Sequence, residues 1–269
     1  MKSQARSLFF LFVLFFTIQS SQVKADSISW QNAQINNSTV SSALLVLLST
    51  YIIGNVVAWI MGAYPHDYPV KPYHPAEINM ISDLSGEINK YPDEVDTKVE
   101  LGELYFKHND LEKAEELLSQ AIEQESENGE ALVVYSANEG KLSGAMWDFT
   151  WGFMKLNRMQ NAVAGLNKAI ELEPDNFKIR LYRLNTLVGF RNRRGNFHRI
   201  FEDENWFSNQ ISLNSALFPD SVKYEFYSIL SKAYSIAADQ TDVEAEREEK
   251  MKKSLDYNIL SESLKPAKQ

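Results

Sequence analysis

The residues with the densest potential for chemistry are basic. Lys178, Arg180, Arg183, Arg191, Arg193, Arg194, His198 and Arg199 crowd 22 positions of a chain whose formal net charge is −9. Guanidinium forks pair bidentately with carboxylates, so the cluster predicts a binding site for an acidic peptide or a C-terminal carboxylate. The competing reading is an internal brace, in which the same arginines pair with Glu202, Asp203 and Glu204 or with acidic faces of neighbouring helices. Aromatic residues make the second candidate. Trp147, Phe149, Trp151 and Phe153 alternate in sequence, either staying exposed as anchors for a partner or wedging between helices.

Catalytic chemistry finds little to work with. The chain has no cysteine, hence no disulfide, thiolate nucleophile or thiolate metal site. It also lacks G-x-S-x-G, H-E-x-x-H and any phosphate-cradling glycine loop. His66, Asp67 and His74 lack the helical i, i+4 spacing of a metal site, His108 reads as a solvated turn residue, and Glu115 and Glu116 as a solvated helix face. The expectation is a non-enzymatic chain with no cofactor and no metal.

The elements that position these residues are helical. Ile78, Ile81, Leu84 and Ile88 form one amphipathic stripe ending near Pro92, and no stretch beyond Glu77 alternates as a strand would. In VDTKVELGELYFKHNDLEKAEELLSQAIEQ, Leu101-Gly102 is followed by Tyr105, then a turn at Asn109-Asp110, then Ala114, Leu118 and Ala121. Ala162, Leu166, Ala169 and Pro174 repeat these offsets, with 48 residues between Ala114 and Ala162. Small side chains at Gly102, Ala114, Ala121, Ala162 and Ala169 let antiparallel helices approach, while Tyr105 and Leu118 fill the space between one hairpin and the next.

This pattern resembles the tetratricopeptide repeat, a 34-residue helix–turn–helix unit. The resemblance is strong over 95–128 and 158–176. It places the second unit at 143–176, with fourteen extra residues around Gly140 to Trp151 and EALVVYSAN as its first helix. Looser hairpins follow. Phe177 to Val188 pairs with Asn196 to Leu213, burying Phe197, Ile200, Phe201, Phe207 and Ile211. Pro219 to Ala238 pairs with Asp242 to Ser261 through Tyr227, Leu230, Tyr234, Met251 and Leu255, the charged last helix capping the array. The chain is also similar to uncharacterised exported or membrane-anchored bacterial proteins of this type. The resemblance implies an all-α solenoid of antiparallel hairpins that binds a protein or peptide in a concave groove lined by first helices. Members that clamp a carboxylate do so with Lys and Asn; Val99 and Glu103 occupy the comparable places, so that clamp is not reproduced.

Upstream, residues 1–25 read as a signal peptide, with Lys2 and Arg6 before the apolar run Leu8 to Phe16 and small residues ahead of Asp26; an uncleaved anchor is the alternative. Cleavage removes three cations and no anions, leaving −12, a balance that argues against nucleic acid or anionic lipid as the main partner. A short polar segment, 26–39, leads to 40–63, VSSALLVLLSTYIIGNVVAWIMGA, which has the length and apolarity of a transmembrane helix. Thr50, Gly54, Ala58 and Gly62 share one face of it, a spacing that favours helix association and a homo-oligomer. A buried helix capping the solenoid is the alternative. Residues 64–76 contain four prolines and read as an extended spacer, 77–262 as the helical domain and 263–269 as a tail.

Function follows as an expectation: an adaptor in the cell envelope, membrane-tethered or exported, that recruits a protein partner to a complex. The alternative is a structural subunit that oligomerises through its small-residue helix face. The solenoid is cytoplasmic if 40–63 stops export and periplasmic otherwise.

Overall fold

A computed structural model describes residues 45–46, 48–49, 52–53, 65–146, 153–191 and 195–266. The chain divides into two compact units, 1–50 and 51–269, and the helical array belongs to the second. The signal peptide lies outside the described residues, as do Thr50, Gly54, Ala58 and Gly62; of segment 40–63 only six helical residues are described. Among the described residues no helix is long and apolar enough to cross a membrane.

Among the described residues nine α-helices follow residue 74: α1 (Pro75–Lys90), α2 (Val95–Lys107), α3 (Leu111–Gln124), α4 (Gly129–Ala145), α5 (Phe153–Leu172), α6 (Phe177–Gly189), α7 (Phe197–Leu213), α8 (Asp220–Asp239) and α9 (Glu244–Ser263). A 3₁₀ turn, Ser215–Leu217, precedes α8, and the described residues contain no strand. Each helix packs on its chain neighbours, and the even-numbered helices α2, α4, α6 and α8 also pack on one another in order.

Local chemistry sets the starts. His74 and Glu77 cap the first turn of α1 reciprocally, with Pro75 supplying a fixed φ at the first helical position. Asn128 accepts from the Ala131 amide at 2.9 Å, and Asn176 accepts from the amides of Lys178 and Ile179, each satisfying donors that the helix leaves orphaned. Asn109, at φ 61°, makes the left-handed turn between α2 and α3.

The repeat residues pack as their sizes require. Ala114, Leu118, Ala121, Leu166 and Ala169 are fully buried, with Leu101, Gly102 and Ala162 close behind, and Tyr105 packs half-buried on the core. A Cβ built on Gly102 would stand 2.7 Å from Leu118 Cγ, so the closest approach of α2 and α3 depends on its absence. In the second hairpin the roles swap: Ser136 stands one repeat after Gly102 and seats its side chain in the space left by Gly165 on α5. Pro174 is exposed and serves as a stop after α5, not as packing.

Several sequence expectations change. Helix α1 begins at Pro75, inside the expected spacer. The spacer is not free either: the His66 amide donates to Gly144 O at 3.0 Å and the Lys71 amide to His108 O at 2.8 Å. His108, expected in solvent, stacks on Tyr73 with ring centroids 4.3 Å apart and places Nε2 3.1 Å from Glu77. The extra residues of the second unit are largely helical. Helix α4 runs four residues beyond the position equivalent to the end of α2, and α5 starts six residues before the equivalent of Leu111. Ile78 is exposed, leaving Leu84 as the buried residue of α1. Phe201, Ile211 and Tyr227 are half-buried. Met251 and Leu255 point outward, because α9 turns Ser254 and Ser261 against the core and small side chains allow its close packing on α8.

Candidate functional site

The even-numbered helices share one face of the array, and their side chains meet across it. Helix α4 lies between α2 and α6, packing on both, and Val134 and Ala137 there are short and buried. Over them the Tyr182 hydroxyl on α6 donates to Glu103 Oε1 on α2 at 2.8 Å, and its ring lies 5.8 Å from that of Phe106. Contact between helices two places apart makes this the inner, concave face.

The face is acidic. Glu103 sits 2.8 Å from Lys107 and 2.9 Å from Lys178, which also reaches Glu130 at 2.8 Å. Burial pushes the Glu103 carboxyl up, but the two ammonium groups outweigh it and hold the carboxyl below its ordinary value. Burial lowers Lys178, and Glu130 and Glu103 more than restore it. Burial and then the Glu103 charge drive the Tyr182 phenol far above its ordinary value, so it remains a donor. Asp96 and Glu100, both exposed, lie on the same side of α2 by helical period, and Glu225 presents a carboxyl from α8. The Glu225 side chain is open to solvent yet crowded by the concave walls; desolvation raises its carboxyl against the pull of Lys107. Five carboxylates thus face three ammonium groups, those of Lys107 and Lys178 and that of Lys141, 3.9 Å over the Phe106 ring.

The basic cluster is divided. Arg183 is 3% exposed and forks onto Asp203, Nε to Oδ2 and Nη2 to Oδ1, both at 2.7 Å, while its Nη1 donates to Asn167. Arg180 donates to the oxygen that Arg183 Nη2 also holds, Asp203 Oδ1, at 2.7 Å, grips the Pro174 carbonyl, and lies 4.6 Å over Trp206. Asp203 is fully buried, and a buried carboxylate demands such partners. Two of the expected ligand-binding arginines therefore brace α6, α7 and the turn before them, and Lys178 belongs to the acidic face. Arg191 is exposed at a left-handed turn, with φ 52°. Arg193, Arg194, Trp147 and Trp151 lie outside the described residues.

Sequence reasoning missed the Tyr182–Glu103 bridge, which spans 79 positions and follows no local period. It also missed the braces at the odd-numbered helices. Arg158 on α5 holds Glu139 Oε2 at 2.8 Å and also pairs with Glu115, so the latter is not a free surface acid. Among the described residues no three His, Asp or Glu side chains converge on a metal-sized site.

A family model described as tetratricopeptide repeat matches residues 95–128 and 153–176. The first match spans α2, α3 and their following turn; the second takes in α5 and its turn but leaves out α4, which the insertion displaces from the family spacing. No curated protein matches this sequence. The matches and the stacked antiparallel hairpins support a tetratricopeptide-type array, an architecture whose general role is protein–protein interaction.

Proposed function

We propose that this protein is a non-enzymatic interaction scaffold, held at a membrane of the cell envelope by segment 40–63, whose concave face recruits a protein partner through a segment rich in Lys or Arg. The carrying observation is the row of carboxylates on the even-numbered helices, with Glu103 held in its ionised form between two lysines. Electrostatic complementarity of this kind steers encounter and selects against acidic partners. The ligand chemistry is thus opposite to what the arginine cluster suggested, because Arg180 and Arg183 are spent on Asp203. The tether is supported by the absence of any charged residue between Asp26 and Asp67, and by exposed apolar side chains at Leu45, Val46, Leu48 and Ile52.

A cross-linking pull-down with the full-length protein tests the reading. Asp96→Lys/Glu100→Lys reverses two exposed charges without touching the Glu103 network. Loss of the principal cross-linked partner is expected; an unchanged partner list would remove the acidic face from the function.

A further inference from the structure

We infer that the protein forms a two-fold dimer through its last helix, α9 of one copy lying antiparallel on α9 of a second. The array leaves apolar side chains uncovered at this end. Met251, Leu255 and Ile259 are 49%, 59% and 59% exposed and recur every four residues, so they form one stripe. Tyr257, on the opposite side of α9 by helical period, reaches back to Glu204 on α7. The stripe therefore faces away from the array, in the direction in which a further hairpin would stack. A terminal solenoid helix ordinarily turns a polar face that way.

Charge identifies what covers the stripe. Glu244 pairs with Arg247, Glu246 with Lys250, Glu249 with Lys253 and Glu262 with Lys265. Among the described residues Glu248, Lys252 and Asp256, all exposed, make no ion pair. Lys252 and Asp256 project on one flank of the stripe, about 60° and 100° round the helix from Leu255. Lysine four residues ahead of an acid is the weaker order for pairing within a helix, which leaves both free for a second copy.

Their spacing fits a two-fold axis level with residue 254. Antiparallel helices then bring Leu255 against its own equivalent, and the six apolar side chains of two stripes interleave in steps of about 3 Å. The rotation keeps each flank on its own side. Lys252 stands level with Asp256 of the second copy and Asp256 with its Lys252, so one contact is made twice, as a closed two-fold interface requires. Glu248 opposes the pairing: it falls at the rim near Glu262 of the second copy, whose carboxylate Lys265 holds at 2.9 Å. The other end of the array offers the stripe no seat. The side of α1 opposite Leu84 carries Asn79, Ser82, Asp83, Gly86 and Lys90, all exposed, so head-to-tail stacking would set apolar side chains on polar ones.

The protein has no cysteine, so one replacement gives a unique thiol. Full-length Leu255→Cys in detergent is treated with a short bis-maleimide, with Asn79→Cys at the far end as control. Covalent dimer at 255 but not at 79 is expected. Its yield should fall on dilution, because a core of six side chains is small. In the Leu255→Cys background, Lys252→Asp and Asp256→Lys each replace two attractions by two repulsions and should weaken association about ten-fold. The exchange Lys252→Asp/Asp256→Lys restores both contacts and should recover it, and Glu248→Gln should strengthen it. These side chains are exposed and unpaired, so melting temperature should not move; should the exchange melt early, Glu248→Gln carries the comparison. Equal linkage at both positions, or none at 255, overturns the dimer; the latter follows if the stripe holds a different protein or segment 40–63 alone joins the copies. Linkage at 255 that neither single reversal weakens overturns the antiparallel pairing. None of these results touches the concave face.

Discussion

Between α2 and α5 the helices meet through alanine, glycine and leucine, and steric fit decides the spacing: Gly102 against Leu118, Ser136 against Gly165. Between α6 and α9 polar bridges join a core of larger side chains such as Phe207, Phe226 and Leu230. Arg183 forks onto Asp203, and Glu204 accepts from the hydroxyls of Tyr234 at 2.7 Å and Tyr257 at 2.6 Å. Both halves stack antiparallel hairpins, yet only the first does so with residue types that a repeat pattern records. The family match ends at residue 176, short of the Arg183–Asp203 and Glu204 bridges. A fold can therefore continue past its sequence signature when hydrogen-bond geometry takes over from small-residue packing.

The largest expected effect breaks the second half. Asp203→Leu leaves the Arg183 guanidinium buried without its carboxylate, which costs about 3–5 kcal/mol. Adding Arg183→Met removes the stranded charge and should recover most of that loss. Urea unfolding of the full-length protein checks both; equal stabilities for the single and double variants would mean that the pair does not brace α6 to α7.

How far these halves were legible in the sequence follows from the same contrast. Alanine and glycine at fixed offsets announce their purpose, so the burial of Ala114, Ala121, Ala162 and Ala169 was readable from spacing alone. Asp203 also carried a signal, since it follows Phe197 and Ile200 on the core stripe, where a carboxylate requires a cation. Its partners were readable only as a class: the brace reading paired the arginines with Glu202, Asp203 and Glu204, but nothing singled out Arg183, 20 positions away on another helix among seven other basic or imidazole residues. The last helix failed for a different reason. Hydrophobicity pointed to Met251 and Leu255, but close contact with α8 favours side-chain size over apolarity, and Ser254 and Ser261 took the inner face. The acidic face was hidden because Glu103, Glu130 and Glu225 come together only when three helices stack.

A steric test sharpens the first half. Gly102→Val drives a branched side chain into Leu118, and overpacking of this kind costs about 1–3 kcal/mol. Leu118→Ala in the same background should return part of it by opening the space. Gly86 in α1 is the control: an added Cβ there meets nothing within 4 Å, so Gly86→Ala should stabilise by about 0.5–1 kcal/mol through helix propensity. Thermal melts that rank Gly102→Val with Gly86→Ala would show that close approach of α2 and α3 is not what fixes the first hairpin.

The smallest effect distinguishes the halves by pH. Lys141, in the first half, is lowered to about 8 by burial and then by Lys71. The unfolded state holds that proton until roughly pH 10.4, so between these values it binds more protons than the folded state, and stability climbs as pH rises. In the second half burial, then the Glu204 carboxylate, raise the phenols of Tyr234 and Tyr257 far above their ordinary value. Their contribution is complete below about pH 10 and is lost as pH rises further, because the unfolded phenols ionise first. Melting temperature should therefore rise above pH 8 and turn over near pH 10. Lys141→Met should flatten the rise alone and Tyr257→Phe should lessen the fall, which Tyr73, Tyr182 and Tyr234, raised in the same way, continue to produce. A variant that altered both limbs would couple the halves more tightly than their separate chemistries allow.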